Sequence, residues 1–277
     1  MRAGAITLCL AAGVISCRVA TAQQPLPPAA AAAAPVDERL VLSTDGSTLS
    51  GGSGGGGGSV TWLRNLTADA VIGAGAEYQQ IANAHWTLGA VSGSLALGQG
   101  QARPHVYLEV HEGSGDIGTH AFHYSLAAAG LLGTLTPRLS VQLEERRIDI
   151  DTSHGNLPKL GLSFQVTPQL LASTSYAYSL GGNLGTKLTT VRVDYSGKSL
   201  SAMAGAVWGP AAPAVFGLLG QVVRPGPTLT EGFAGIGKPV GRTEWLLVGD
   251  YQDVGGTKRT SVTLVCTVHL RGRGQSQ

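Results

Sequence analysis

His105-Val106-Tyr107-Leu108-Glu109-Val110-His111 alternates polar and apolar residues without a break. A strand turns successive side chains to opposite faces, so this stretch puts Val106, Leu108 and Val110 on one side and His105, Tyr107, Glu109 and His111 on the other. The same two-faced pattern recurs along the chain. Leu160, Leu162, Phe164 and Val166 oppose Lys159, Gly161, Ser163 and Gln165. Val191, Val193 and Tyr195 oppose Thr190, Arg192 and Asp194, and Val262, Leu264, Cys266, Val268 and Leu270 oppose Ser261, Thr263, Thr267 and His269. A polar row on strand after strand suits a barrel in a bilayer, with the apolar face on lipid and the polar face on a lumen. A soluble barrel reverses that arrangement, placing its apolar residues inside.

Turn residues divide the chain into candidate strands near 39–49, 59–66, 69–80, 84–97, 104–112, 119–134, 138–150, 157–166, 169–180, 187–196, 199–208, 214–224, 228–237, 243–252 and 258–270. Bacterial single-chain barrels have an even strand number, so one of these is surplus. The expected fold is all-β, an antiparallel up-and-down transmembrane barrel of about 14 strands, with 39–49 or the Pro-flanked pair around 214–237 in question. Leu66-Thr67-Ala68, Leu135-Thr136-Pro137 and Val166-Thr167-Pro168 read as tight periplasmic turns, and Gly113–Gly118, Asp151–Asn156, Gly181–Gly185 and Asp253–Lys258 as outward loops. Gly51 to Ser59 is nearly all glycine and reads as a mobile loop. No segment sustains a 3.6-residue apolar period, which argues against helical architectures.

The N-terminus carries an export signal. Arg2, the apolar stretch Ala3–Ser16 and Ala20-Thr21-Ala22 match the charged, apolar and cleavage regions of a secretory peptide ending at 22. Val14-Ile15-Ser16-Cys17 also resembles a lipobox, and cleavage after Ala22 is the favoured of the two readings. Residues 23–37, rich in Pro and Ala, form a linker, 38–270 the barrel, and 271–277 a basic polar tail. Cleavage leaves Cys266 as the one cysteine, which excludes an internal disulfide. Net charge is +2 and 13% of residues are charged, with no basic patch of the kind nucleic-acid binders carry. Aromatic residues make up 5%, fewer than the girdles of membrane barrels ordinarily need.

The densest polar group is His105, Tyr107, Glu109 and His111 together with His123 and Ser125, which the hairpin reading puts on the same face. A lumen row of mutually hydrogen-bonded side chains is the favoured account of it, over a metal site or an acyl-transfer centre. Arg146, Arg192 and Asp194 join that row as lumen-facing candidates, and Glu144-Glu145-Arg146-Arg147 breaks the alternation where a strand leaves the hydrocarbon. No catalytic residue, cofactor or metal ligand is assigned.

Trp62 to Leu270 resembles the YaiO-type outer-membrane β-barrel family. The residues that carry the likeness are the Thr-Pro turns, Ser175-Tyr176-Ala177-Tyr178-Ser179, Val191-Arg192-Val193-Asp194-Tyr195, and Gly235-Ile236-Gly237-Lys238-Pro239-Val240-Gly241-Arg242 followed by Asp250-Tyr251 and Gly255-Gly256. The resemblance implies an exported barrel without an enzymatic role, so no catalytic residues transfer. The expectation is a non-enzymatic protein of the Gram-negative outer membrane, a small pore or envelope component. Its partners would be outer-membrane lipid and the barrel assembly machinery. Two alternatives stand beside it. One is a barrel enzyme acting on lipid or envelope polysaccharide. The other is a soluble or lipidated periplasmic β-protein, a reading favoured by the final His269-Leu270 in place of a terminal aromatic.

Overall fold

The computed structural model describes residues 38–82, 84–98, 103–150, 153–210 and 228–271. Among them the strands are β1 (Glu38–Leu49), β2 (Gly54–Asn65), β3 (Ala70–Ile81), β4 (Ala84–Ala96), β5 (His105–Ile117), β6 (His120–Thr136), β7 (Leu139–Ile150) and β8 (Ser153–Asn156). They continue as β9 (Lys159–Thr167), β10 (Leu170–Tyr178), β11 (Lys187–Ser196), β12 (Ser201–Pro210), β13 (Thr228–Val240), β14 (Thr243–Val254) and β15 (Thr257–Arg271). Each pairs antiparallel with its chain neighbour, β7 passes on to β9, and β1 closes against β15. The four-residue β8 is only a flap on the upper part of β7, so the closed barrel has 14 strands.

Closure falls on the stretch the sequence left in question. Residues 39–49 belong to β1, which runs in register with β15 from Arg39↔His269 to Leu49↔Arg259. Residues 228–237 belong to β13, and the candidate strand 214–224 lies outside the described residues. The strands are tilted, as closure requires. Pairing carries Leu40, near the start of β1, through Trp62, Ala74, Val91, Val110 and Ala127 to Arg147, near the far end of β7.

The three Thr-containing turns share one construction and one end of the barrel, here called the lower end. Thr67, Thr136 and Thr167 each accept from the amides two and three residues on, at 3.1 and 3.0 Å, 3.3 and 3.1 Å, and 3.3 and 3.1 Å. A threonine hydroxyl caps a tight turn this way, and the following proline of the latter two pre-sets the φ such a turn needs. The described residues of the segments read as loops all fall at the opposite, upper end. They are shorter than expected, because β5 runs on to Ile117 and β14 to Val254.

The glycine run is not a loop. Gly54 to Gly58 begin β2, paired with β1 on one side and, from Gly55 onward, with β3 on the other. Gly57 faces inward and presents bare backbone, over which Gln79 of β3 reaches Asp45 of β1 at 2.7 Å, bridging two strands. A Cβ on Gly57 would collide with the Gln79 side chain and the Tyr78 carbonyl. Gly57→Val is therefore expected to cost about 1–3 kcal/mol through overpacking, read as a lower urea midpoint of the folded protein.

The outward face is zoned. Phe164, Tyr195 and Trp245 stand near the lower strand ends, and Tyr78, Tyr178, Trp208 and Tyr251 near the upper ones, all 39–47% exposed. Leu42, Val60, Leu108, Leu143, Ile236 and Leu264 fill the band between them. The few aromatics are thus concentrated where lipid headgroups meet the chain, an arrangement typical of membrane barrels. Lys187 lies over the Tyr178 ring, 5.3 Å from its centroid. Above the upper ring comes a collar of ion pairs, His85–Asp116 at 3.3 Å, His123–Glu112 at 3.0 Å and Arg147–Asp149 at 3.3 Å.

Candidate functional site

The site is the barrel interior, and its wall is built by strand register. Tyr107, Gly130, Glu144 and Lys159 form one row across β5, β6, β7 and β9. Gly130 leaves that row bare at β6, and the Tyr107 ring lies over it so that its hydroxyl donates to Glu144. The Gln142 amide donates to the Tyr107 hydroxyl at 2.8 Å and to Glu144 at 3.1 Å. Lys159 Nζ lies 2.9 Å from the same carboxylate, and Arg146 Nε donates to its other oxygen.

One row higher, Glu109, Ala128 and Arg146 are in register, and His111 Nε2 bonds Glu109. Glu144, Lys159 and His111 are almost fully buried. Burying these charges is tolerable because two carboxylates face two bases, and every ion is held by charge-assisted hydrogen bonds. On β11, Arg192 Nε donates to both oxygens of Asp194, at 2.9 and 2.8 Å, two residues along the same inward face.

His105, Tyr107, Glu109 and His111 of β5, Arg146 of β7, and Arg192 and Asp194 of β11 therefore all stand on the interior face. His123 and Ser125 do not. Pairing matches Glu112 with Ser125 and Ser114 with His123, so both lie with Glu112 on the outer face, opposite to the expected placement. There Ser125 donates to Glu112 at 2.8 Å and His123 meets the same carboxylate at 3.0 Å. The carboxylate sits between hydroxyl and imidazole, whereas acyl transfer requires the imidazole beside the nucleophile. Among the described residues no three His, Cys, Asp or Glu side chains are placed to hold a metal ion.

The sequence reading missed the upper third of the interior. Trp86 and Leu88 of β4, Phe122 and Tyr124 of β6, Ile150 of β7, Leu188 of β11, Leu229 of β13 and Val254 of β14 join in one buried cluster drawn from all round the barrel. Trp86, Tyr124, Leu88, Ile150 and Leu229 are each under 2% exposed, so the lumen is narrowed here by apolar side chains. The available signal was β6 itself, where Phe122, Tyr124 and Leu126 alternate with Ala121, His123 and Ser125. That apolar row points inward because the strand has already risen above the apolar outer band.

No protein-family model matches the chain, and no curated protein matches its sequence. Solved structures do match in architecture. The CymD monoaromatic hydrocarbon channel superposes with a TM-score of 0.57 at 11% identity, covering 83% of this chain and 87% of that one. A Pseudomonas aeruginosa FadL homologue gives 0.54 at 9% identity, covering 86% and 91%. Omp33 of Acinetobacter baumannii gives 0.51 at 10% identity, covering 84% and 99%. The chain has the fold of an outer-membrane β-barrel, a likeness of architecture without likeness of sequence.

Proposed function

We propose that the protein is a non-enzymatic barrel of the Gram-negative outer membrane, of YaiO type, acting as a narrow channel for small solutes of low polarity. The observation that carries this reading is the apolar constriction closing across the upper lumen above a charge-balanced polar wall. Apolar constrictions exclude ions by dewetting while leaving a path for uncharged molecules. The zoned outer face supports residence in outer-membrane lipid, and insertion would pass through the barrel assembly machinery. The monoaromatic hydrocarbon channel among the structural neighbours supports the choice of solute class by analogy of fold alone.

Trp86→Ala and Leu229→Ala are each expected to raise single-channel conductance in planar bilayers several-fold, as water enters the widened constriction. A wild-type channel that already conducts ions freely, with both variants unchanged, would contradict this reading.

A further inference from the structure

Arg259 of β15 faces the upper lumen at 1% exposure, and none of its three side-chain nitrogens has a hydrogen-bond partner. It has no ion pair among the described residues. Its register partner Gln252 of β14 is fully buried with neither amide atom partnered, and the row runs on to the buried Glu231 of β13. On its other side Arg259 is in register with Leu49, a member of the apolar cluster that includes Trp86, whose indole nitrogen is also without a partner. The interior lower down shows how this chain treats charge, with Arg146, Lys159 and Arg192 each engaged by a carboxylate. Arg259 alone among these interior bases is left open.

A guanidinium stripped of water and given no partner is costly to keep, and its planar fork matches a carboxylate or a phosphate, each bound through two parallel bonds. We propose that Arg259 and Gln252 form a binding site for the carboxylate of a small organic acid whose apolar body lies in the cluster of Trp86, Leu49 and their neighbours. The Arg259 fork takes both carboxylate oxygens, and the Gln252 amide donates to one of them. The apolar cluster selects against inorganic anions, which carry nothing to bury there. This site rests on the channel reading and sharpens it, because Arg259 offsets the charge of a carboxylate that the apolar constriction would otherwise turn away.

The test uses protein extracted from membranes and reconstituted in lipid nanodiscs, with benzoate, benzyl alcohol and inorganic phosphate as calorimetric probes. The expected result is saturable benzoate binding, weakened about tenfold or more by Arg259→Met and less by Gln252→Leu, with no binding of phosphate. Benzyl alcohol should respond to neither substitution. Arg259→Lys, which keeps the charge but loses the fork, should recover only part of the affinity. Each variant is first shown to run as a folded band before boiling. Equal benzoate binding by wild type and Arg259→Met, no benzoate binding by wild type, or phosphate binding as tight as benzoate would each overturn the proposal. Binding is read without transport, so a protein that conducts yet ignores benzoate defeats this site alone. One that binds benzoate yet passes no solute defeats the channel alone.

Discussion

Leu108→Arg is expected to abolish most barrel assembly. Leu108 is the fourth residue of β5, on the outer face within the apolar band, in register with Gly93 and Ala129 and 65% exposed. If that face meets hydrocarbon, an arginine in the apolar band costs up to about 2–4 kcal/mol, the midplane value. That corresponds to roughly a thirty- to seven-hundredfold loss in the folded-to-unfolded ratio, measured by urea titration in liposomes. Ser125→Arg is the control, since Ser125 occupies the same face among the ion pairs of the upper collar and should cost about 0–1 kcal/mol. A soluble β-protein would give the opposite pattern for Leu108, because replacing an exposed surface side chain typically changes stability by about 0.5 kcal/mol or less.

Glu144→Ala is expected to be the most damaging change inside the lumen. The Glu144 carboxylate holds Tyr107, Gln142, Arg146 and Lys159, and its removal leaves two bases facing only Glu109. Breaking a buried pair by deleting one partner costs about 3–5 kcal/mol, most of it the price of a charge left uncompensated. Combining Glu144→Ala with Lys159→Met should recover a good part of that loss, because the stranded ammonium goes with its counter-ion. A double variant no more stable than the single one would mean that the network does not hold this wall together.

What was legible in the sequence was the period-two pattern. The alternation at His105–His111 and Val191–Tyr195 fixes two-faced strands, and the Thr67, Thr136 and Thr167 turns mark where they reverse. Four features escaped, for physical reasons. Gly54–Gly58 lacks the side chains that declare a strand, and only pairing with β1 and β3 shows it to be one. His123 was placed on the wrong face because ending β5 at residue 112 leaves the turn length, and so the parity of the hairpin, open. With Ile117 paired to His120, odd positions on β5 match even positions on β6. A one-residue change in register turns every side chain to the opposite face.

The apolar upper lumen escaped for a third reason. An apolar row is read as lipid-facing only while the strand is in lipid, and Phe122, Tyr124 and Ile150 lie above that level. The partnerless Arg259 was invisible for a related reason. Its sequence neighbours Lys258 and Thr260 give no hint that it points into a closed, apolar space.

The most direct test of the central claim is membrane fractionation of the expressed protein, with boiled and unboiled samples compared on one gel. A membrane-spanning barrel predicts recovery in the outer-membrane fraction and an unboiled band that migrates faster than the boiled one. A soluble periplasmic band that does not shift on boiling would contradict it.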